Sequence, residues 1–339
     1  MTELGFETSG HTGAPVTWLR THEQLAAEAV LIADDLIGDI DQIVSFAPKR
    51  HLFGHLFGVQ LPEQRGVPVL HVDHTPIGLP PTTAGKRTLI VCLPSSWLML
   101  RHMLGQLRAL PSVVALHSTG PTVPATTEVV SALADTDFRA LELFGSTETG
   151  GIAYRQIPPL PAEPPLWTLL PDATFADTVE ENGQWLHIRS PRLARRSDMA
   201  EPPESWRLPD LVHRSGSRSF KFEGRASALV KINGRRCNLD EVSSTLRTLV
   251  PGVDVACLPV QDPVRAENYE LFYSSPELEL GPEQVIDRLA TTIAEFVMPR
   301  SVHRVNRIPR TLTGKVAVTA LYSQIDDATR QAPAVEAGG

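Results

Sequence analysis

The chain has 339 residues, 42% of them hydrophobic, which exceeds one ordinary domain and suffices for a sizeable core. A net charge of −8 and a pI near 5.8 exclude a generalised nucleic-acid surface, because phosphate backbones want clustered basic charge. Cys92, Cys237 and Cys257 show no paired CxxC spacing and read as buried small side chains rather than a disulfide framework. No apolar run reaches the roughly 18 residues of a membrane span, and no basic-then-apolar leader opens the chain. The expectation is a cytoplasmic protein with neither membrane nor nucleic-acid partners.

In chain order, a Ser/Thr/Gly-rich segment over residues 8–16 comes first, followed by helical spacing over His22–Asp41. Strand-like apolar runs over Ile43–Phe46, Val67–Val72, Thr88–Leu93 and Val113–His117 alternate with helical stretches over Pro94–Leu110 and Thr126–Asp135. Strands alternating with helices predict a largely parallel sheet with helices on its faces, and ligands at the carboxyl ends of its strands. A proline-rich connection, Pro158–Pro165, leads into shorter strands over Gln184–Ile188 and 205–225. From Ser227 the pattern is strand, Asn233-Gly234 turn, helix, strand and helix Pro282–Phe296. The fold class expected is a large α/β domain with a mostly parallel sheet and a β-rich subdomain, plus a small C-terminal α+β domain. The expected boundaries are 1–226 for the body, 227–325 for the small mobile domain and 326–339 for a disordered tail.

Four segments carry chemistry. Thr8, Ser9, Gly10, Thr12 and Gly13 offer hydroxyls and flexible backbone N–H groups that can wrap a polyphosphate. The loop is not of the Walker type, and Val16 stands where a lysine would serve best. Phe144, Gly145, Ser146, Thr147 and Glu148 put an aromatic face, hydroxyls and a carboxylate at a strand end. There Phe144 could stack on adenine, Thr147 hold a phosphate and Glu148 ligate Mg²⁺. Asp210, between an aromatic and an apolar pair, suits a ribose diol, since a carboxylate can accept from both hydroxyls. Lys315, beside Gly314, could stabilise charge developing on a substrate oxygen. Taken singly, the loop, the 144–148 segment and Lys315 read better as ordinary polar turns or a solvated side chain, and Asp210 equally as an exposed turn residue; the combination and its order favour the chemical reading.

These segments resemble the adenylate-forming superfamily of acyl-CoA synthetases, adenylation domains of peptide synthetases, and luciferases. Residues 8–16 are similar to its phosphate loop, and 144–148 to its Tyr-Gly-x-Thr-Glu element with Phe for Tyr. His51-Leu52-Phe53-Gly54 and Ser118-Thr119-Gly120-Pro121 resemble segments bordering its acid pocket. Residues 206–212 resemble its ribose-binding element with Pro209 for glycine. Gly224-Arg225, Lys231–Arg235 and Glu241 resemble its hinge and loop, and 309–315 its catalytic-lysine loop.

The resemblance implies an AMP-forming acid ligase using ATP and Mg²⁺, with coenzyme A, a carrier-protein thiol or an amine as the later acceptor. An aryl acid of secondary metabolism, antibiotic biosynthesis included, is the expected substrate class. Lys315, Thr147 and Glu148 would be catalytic, with Glu148 on the metal. Thr8, Ser9, Gly10, Thr12, Gly13, Phe144, Gly145, Ser146, Asp210 and Arg225 would hold the nucleotide. His51, Phe53, Ser118 and Gly120 would line the acid pocket, and Lys231 and Gly234 an acceptor tunnel. The small domain would rotate to exchange Lys315 for the Gly234 loop.

Three departures qualify the match. Only seven residues precede the phosphate loop where the superfamily has a long segment, so a missing N-terminal subdomain is expected, with its uncovered surface inviting a homodimer or a partner protein. Val16 removes a cation, and Ser227 replaces the usual hinge Asp. The alternative reading is a non-catalytic or partner-dependent binding module derived from such an enzyme.

Overall fold

The computed structural model describes residues 2–8, 16–72, 78–79, 84–160, 162, 165–176, 184–225, 228–232, 235–250, 252–262, 266–275, 280–292, 298–311 and 316–331. Contacts divide the chain into Met1–Leu208 with Val212–Phe222, and Pro209–Leu211 with Glu223–Gly339.

The first unit is organised by an 11-stranded sheet. Val69–His71, Gln42–Ser45, Thr88–Cys92, Val113–His117 and Phe138–Ser146 lie side by side, all parallel and in register. The three central runs are buried at every residue, as strands covered on both faces require, so their sequences are continuous apolar runs rather than alternations. Two clusters form the layers. Leu25, Ile32, Phe57, Leu61, Leu89 and Val91 pack together on one side, and Ile90, Trp97, Leu100, Ala115 and Val129 on the other. Adjacent residues Leu89 and Ile90 fall into different clusters because side chains alternate across a strand.

The β-rich region is a continuation of this same sheet. Phe138–Ser146 turns directly into Gly150–Gln156, antiparallel to it, and the sheet runs on through Trp167–Leu169, Ser219–Arg225, Trp206–Arg214, Gln184–Arg189 and Thr174–Phe175. A separate three-stranded sheet joins Glu3–Thr8, Val16–Thr21 and Arg195–Arg196. The hairpin Glu3–Thr8/Val16–Thr21 frames residues 9–15, which lie outside the described residues; so Ser9, Gly10, Thr12 and Gly13 do too.

Helix boundaries shift from those expected. The helix from His22 is α-helical to Ile32, widens into a π turn over Ala33–Ile37, and stops at Gly38, whose φ of 81° no β-carbon would welcome. The Pro94–Leu110 stretch splits into Ser96–Arg101 and Leu104–Arg108, and the third helix starts at Pro124, a residue suited to a first turn. Among the described residues, no helix is long and apolar enough to cross a membrane.

The second unit contains a five-stranded sheet in which Arg235–Asn238, Leu229–Ile232, Ala266–Ser274 and Asp254–Asp262 are antiparallel neighbours, with Ser301–Arg304 parallel to Ala266–Ser274. The long hairpin Asp254–Asp262/Ala266–Ser274 stands where the sequence pattern predicts a single strand. Helices Leu239–Leu249 and Pro282–Thr292 belong to this unit, and Val242, Leu246, Val255, Tyr269, Leu271 and Val285 share its core. Asn238 caps the first helix, accepting from the N–H groups of Asp240 and Glu241. The helix Val318–Gln331 runs into the stretch expected as a frayed tail; residues 332–339 lie outside the described ones.

Thr21 starts the His22–Ile32 helix with a reciprocal pair of bonds, its hydroxyl accepting from Gln24 N–H and its own N–H donating to Gln24 Oε1. Removing the hydroxyl in Thr21→Ala should cost about 1 kcal/mol in chemical denaturation.

Candidate active site

Because the central strands are parallel, their carboxyl ends share one edge of the sheet, and the loops after Ser45, Cys92, His117 and Ser146 open on that edge. The sharpest turn is Thr147–Thr149, between Phe138–Ser146 and Gly150–Gln156. Two glycines make it possible. A β-carbon on Gly145 would lie 2.0 Å from the Gly150 carbonyl oxygen, and Gly150 itself has a φ of 70°. Thr149, fully buried, locks the turn: its hydroxyl receives the Ser146 N–H at 3.2 Å and donates to Gly150 O at 2.9 Å. Thr147 and Glu148 stand half-buried at the tip. Among the described residues, the Glu148 carboxylate makes no ion pair within salt-bridge distance.

A buried charge network grips the back of this turn. Glu28, fully buried on the first helix, accepts Gly151 N–H at 2.7 Å on one oxygen and Arg20 Nη1 at 3.0 Å on the other. Arg192 lies 3.4 Å from Glu28, donates to Gly151 O at 2.7 Å and forks onto Asp172 at 2.7 and 2.8 Å. A β-carbon on Gly150 would meet Glu28 at 2.4 Å, so the carboxylate sits hard against the turn. Burial lowers the Arg20 pKa below its ordinary value, while Glu28 and Glu148 pull the other way. Burial also opposes the charge on Arg192, but Glu28 and Asp172 outweigh it and its pKa is raised.

None of these four charges was singled out as a site residue from sequence. They are separated by up to 172 positions and form no motif; the only available signal was an arginine within the apolar strand Val16–Thr21.

The ring of Phe144 is half-buried, with its centroid 5.1 Å from Trp167 and 5.8 Å from both Phe220 and Phe222, so an aromatic cluster sets its orientation. Ser118 donates to the Leu143 carbonyl at 2.9 Å, tying the loop after Val113–His117 to the strand bearing Phe144. Gly120 offers its carbonyl to the buried His117 ring. His51 begins the helix Leu52–His55, while Phe53 is a core side chain packed edge-on to Phe57, 5.4 Å away. Thr8 ends its strand opposite Val16.

In the second unit, Asp210 is buried with Arg225 Nε 3.4 Å from its carboxylate, and the arginine side chain is 47% exposed. Lys231 lies in the strand Leu229–Ile232. Gly234 and Lys315 lie outside the described residues, although Arg310 and Val316 pair as a bridge on either side of the lysine's loop. Burial pushes the Cys92 thiol up to about 12, so that cysteine carries no thiolate at neutral pH.

No family model matches the chain. A curated relative, the 4-coumarate–CoA ligase of Rhodobacter capsulatus, is 28% identical over 259 residues, which is 75% of this chain and 59% of the relative. Thus the chain spans about three fifths of that relative's length. Among solved structures, ATP-bound MatB from Rhodopseudomonas palustris superposes with a TM-score of 0.74 at 18% identity, covering 96% of this chain and 68% of that one. The anthranilate CoA ligase AuaEII, in complex with anthranoyl-AMP, gives 0.71 at 18% identity, with the same coverage. The chain shares the fold of these solved structures. The likeness in fold extends over nearly the whole chain, both units included.

Glu28→Gln keeps an oxygen for Gly151 but removes the charge between two buried guanidiniums. It should cost about 3–5 kcal/mol in chemical denaturation; unchanged stability would show that the network does not hold the turn.

Proposed function

We propose that the chain activates a carboxylic acid with ATP. The observation that carries this reading is the Ser146–Gly150 turn: glycines with no room for a β-carbon, and a Glu148 carboxylate without an ion-pair partner among the described residues, at the carboxyl edge of a parallel sheet. A carboxylate oxygen of the acid attacks the α-phosphorus, the bond to the bridging oxygen of pyrophosphate breaks, and an acyl-adenylate results. Little covalent work falls to the protein in such a displacement, so alignment and charge stabilisation carry the rate.

Residue roles follow the resemblance. Asp210 would accept from the ribose hydroxyls, its carboxylate oriented by Arg225. The loop at Thr8–Gly13 and the Thr147 hydroxyl would hold phosphates, and Lys315 would bridge the charge building between acid and phosphate. Magnesium would neutralise phosphate charge. Glu148 would hold it together with substrate phosphates, as magnesium is commonly held by one or two carboxylates and the phosphates of its substrate. The names of the relatives, 4-coumarate and anthranilate ligases, favour an aromatic acid. The second step would pass the acyl group to a thiol, of coenzyme A or of a carrier protein, or to an amine.

One observation favours the second reading, a partner-dependent binding module. Val16 offers the phosphate loop no cation, and Arg20, on the same face of that strand, is already engaged by Glu28.

Pyrophosphate release with Mg-ATP and a panel of aromatic acids, 4-coumarate and anthranilate among them, tests the ligase reading. Lys315→Ala should lower the rate by about 100-fold or more, and Glu148→Gln should raise the magnesium concentration needed. A wild-type protein silent across the panel, or a Lys315→Ala variant at full rate, would contradict it.

A further inference from the structure

The strand Val113–His117 ends in a conformation that ordinary loops avoid. Thr119 has a φ of 79° and is the one non-glycine residue with positive φ among those described. A β-branched side chain in that region is a true outlier, because its β-carbon substituents crowd the backbone. Strain of this kind persists only where surrounding structure over-determines it.

The surrounding structure here is a buried two-bond relay. His117 and Trp97 are both fully buried. The Trp97 indole N–H faces His117 Nδ1 at 3.0 Å, and His117 Nε2 faces the Gly120 carbonyl at 2.8 Å. An indole nitrogen can only donate, so Nδ1 accepts, and the carbonyl can only accept, so Nε2 carries the proton. The ring is thereby fixed as the neutral Nε2–H tautomer. Burial, the largest influence, also holds its pKa below the ordinary value. Glu142, opposite His117 on the next strand, is engaged by Arg155 at 2.7 Å and does not hydrogen-bond the ring. On the far side of the loop, a β-carbon on Gly120 would come 3.3 Å from Pro94, and Ser118 is tied to Leu143. The Thr119 hydroxyl is buried without a hydrogen-bond partner.

We infer that His117 is a positioning residue: it clamps the Gly120 carbonyl and so holds Thr119 in its left-handed conformation, presetting the loop against the acid. The inference rests on the reading of residues 118–120 as acid-pocket wall. Trp97 acts one step further back, by fixing the tautomer that can donate. A chain without this relay would let the loop relax out of the left-handed region and blur the pocket wall while leaving the nucleotide turn at 146–150 in place.

Thermal unfolding tests the clamp without any acid. Thr119→Gly removes the β-carbon penalty and should raise Tm by about 2 °C. In the His117→Asn background, which lacks a donor at the Nε2 position, the same substitution should give no gain, because the relaxed loop has no strain left to release. An equal gain in both backgrounds, or a fall in Tm for Thr119→Gly alone, overturns the clamp. Kinetics with 4-coumarate and anthranilate then test its consequence. His117→Asn should raise the apparent KM for the accepted acid about 10-fold while that for ATP stays within about twofold, and His117→Gln, which restores the donor, should recover most of the loss. Equal rises for acid and ATP overturn the link to the acid. Failure of the wild-type protein to turn over any acid instead counts against the ligase reading, and the thermal comparison still decides whether His117 holds the loop.

Discussion

The arrangement at the heart of the first unit depends on one buried carboxylate. Glu28 takes an N–H from Gly151 and answers two guanidiniums, and all of these groups lie out of water. An isolated charge there would be costly to bury, and loss of Glu28 would leave Arg20 without a carboxylate partner. Such a cluster adds less to net stability than its short distances suggest, since an apolar core of the same volume could do as well. Its contribution is direction. It connects the first helix, the strand Val16–Thr21 and the Gly150 turn to one point, and the tip of that turn carries Thr147 and Glu148.

A second constraint is the parallel alignment of the central strands. Register sends the loop after His117 and the loop after Ser146 to the same edge, where Ser118 bonds the Leu143 carbonyl. The two loops are rigid for different reasons. The 146–150 turn is held by glycines and the ionic cluster behind it, whereas the 118–120 loop is held by a neutral relay, Trp97 to His117 to Gly120. Separate supports let the 146–150 turn and the 118–120 loop vary independently, which suits a scaffold in which relatives named for different acids share one fold.

The layered body was legible because its strands are continuous apolar runs such as Leu89–Cys92 and Val113–Leu116, a pattern that sheets buried on both faces produce. The Ser146–Gly150 turn was legible as a turn because its glycines and hydroxyls are close in sequence. What escaped the sequence was long-range. Arg20, Glu28, Asp172 and Arg192 carry no spacing rule, and His117 reads as the polar end of a strand until Trp97 is seen above it. The sequence pattern predicts one strand between the two helices of the second unit, where the structure has the hairpin Asp254–Asp262/Ala266–Ser274. Phe53, expected beside the acid, falls on the helix face that meets Phe57 in the core.

The central claim is that this chain holds an adenine nucleotide, and calorimetric titration of AMP and of Mg-ATP into the purified protein tests it with no knowledge of the acid. The account predicts dissociation constants below about 1 mM for both, weakened by Asp210→Ala through loss of the ribose contact. Absence of binding for either nucleotide by a folded protein would contradict it.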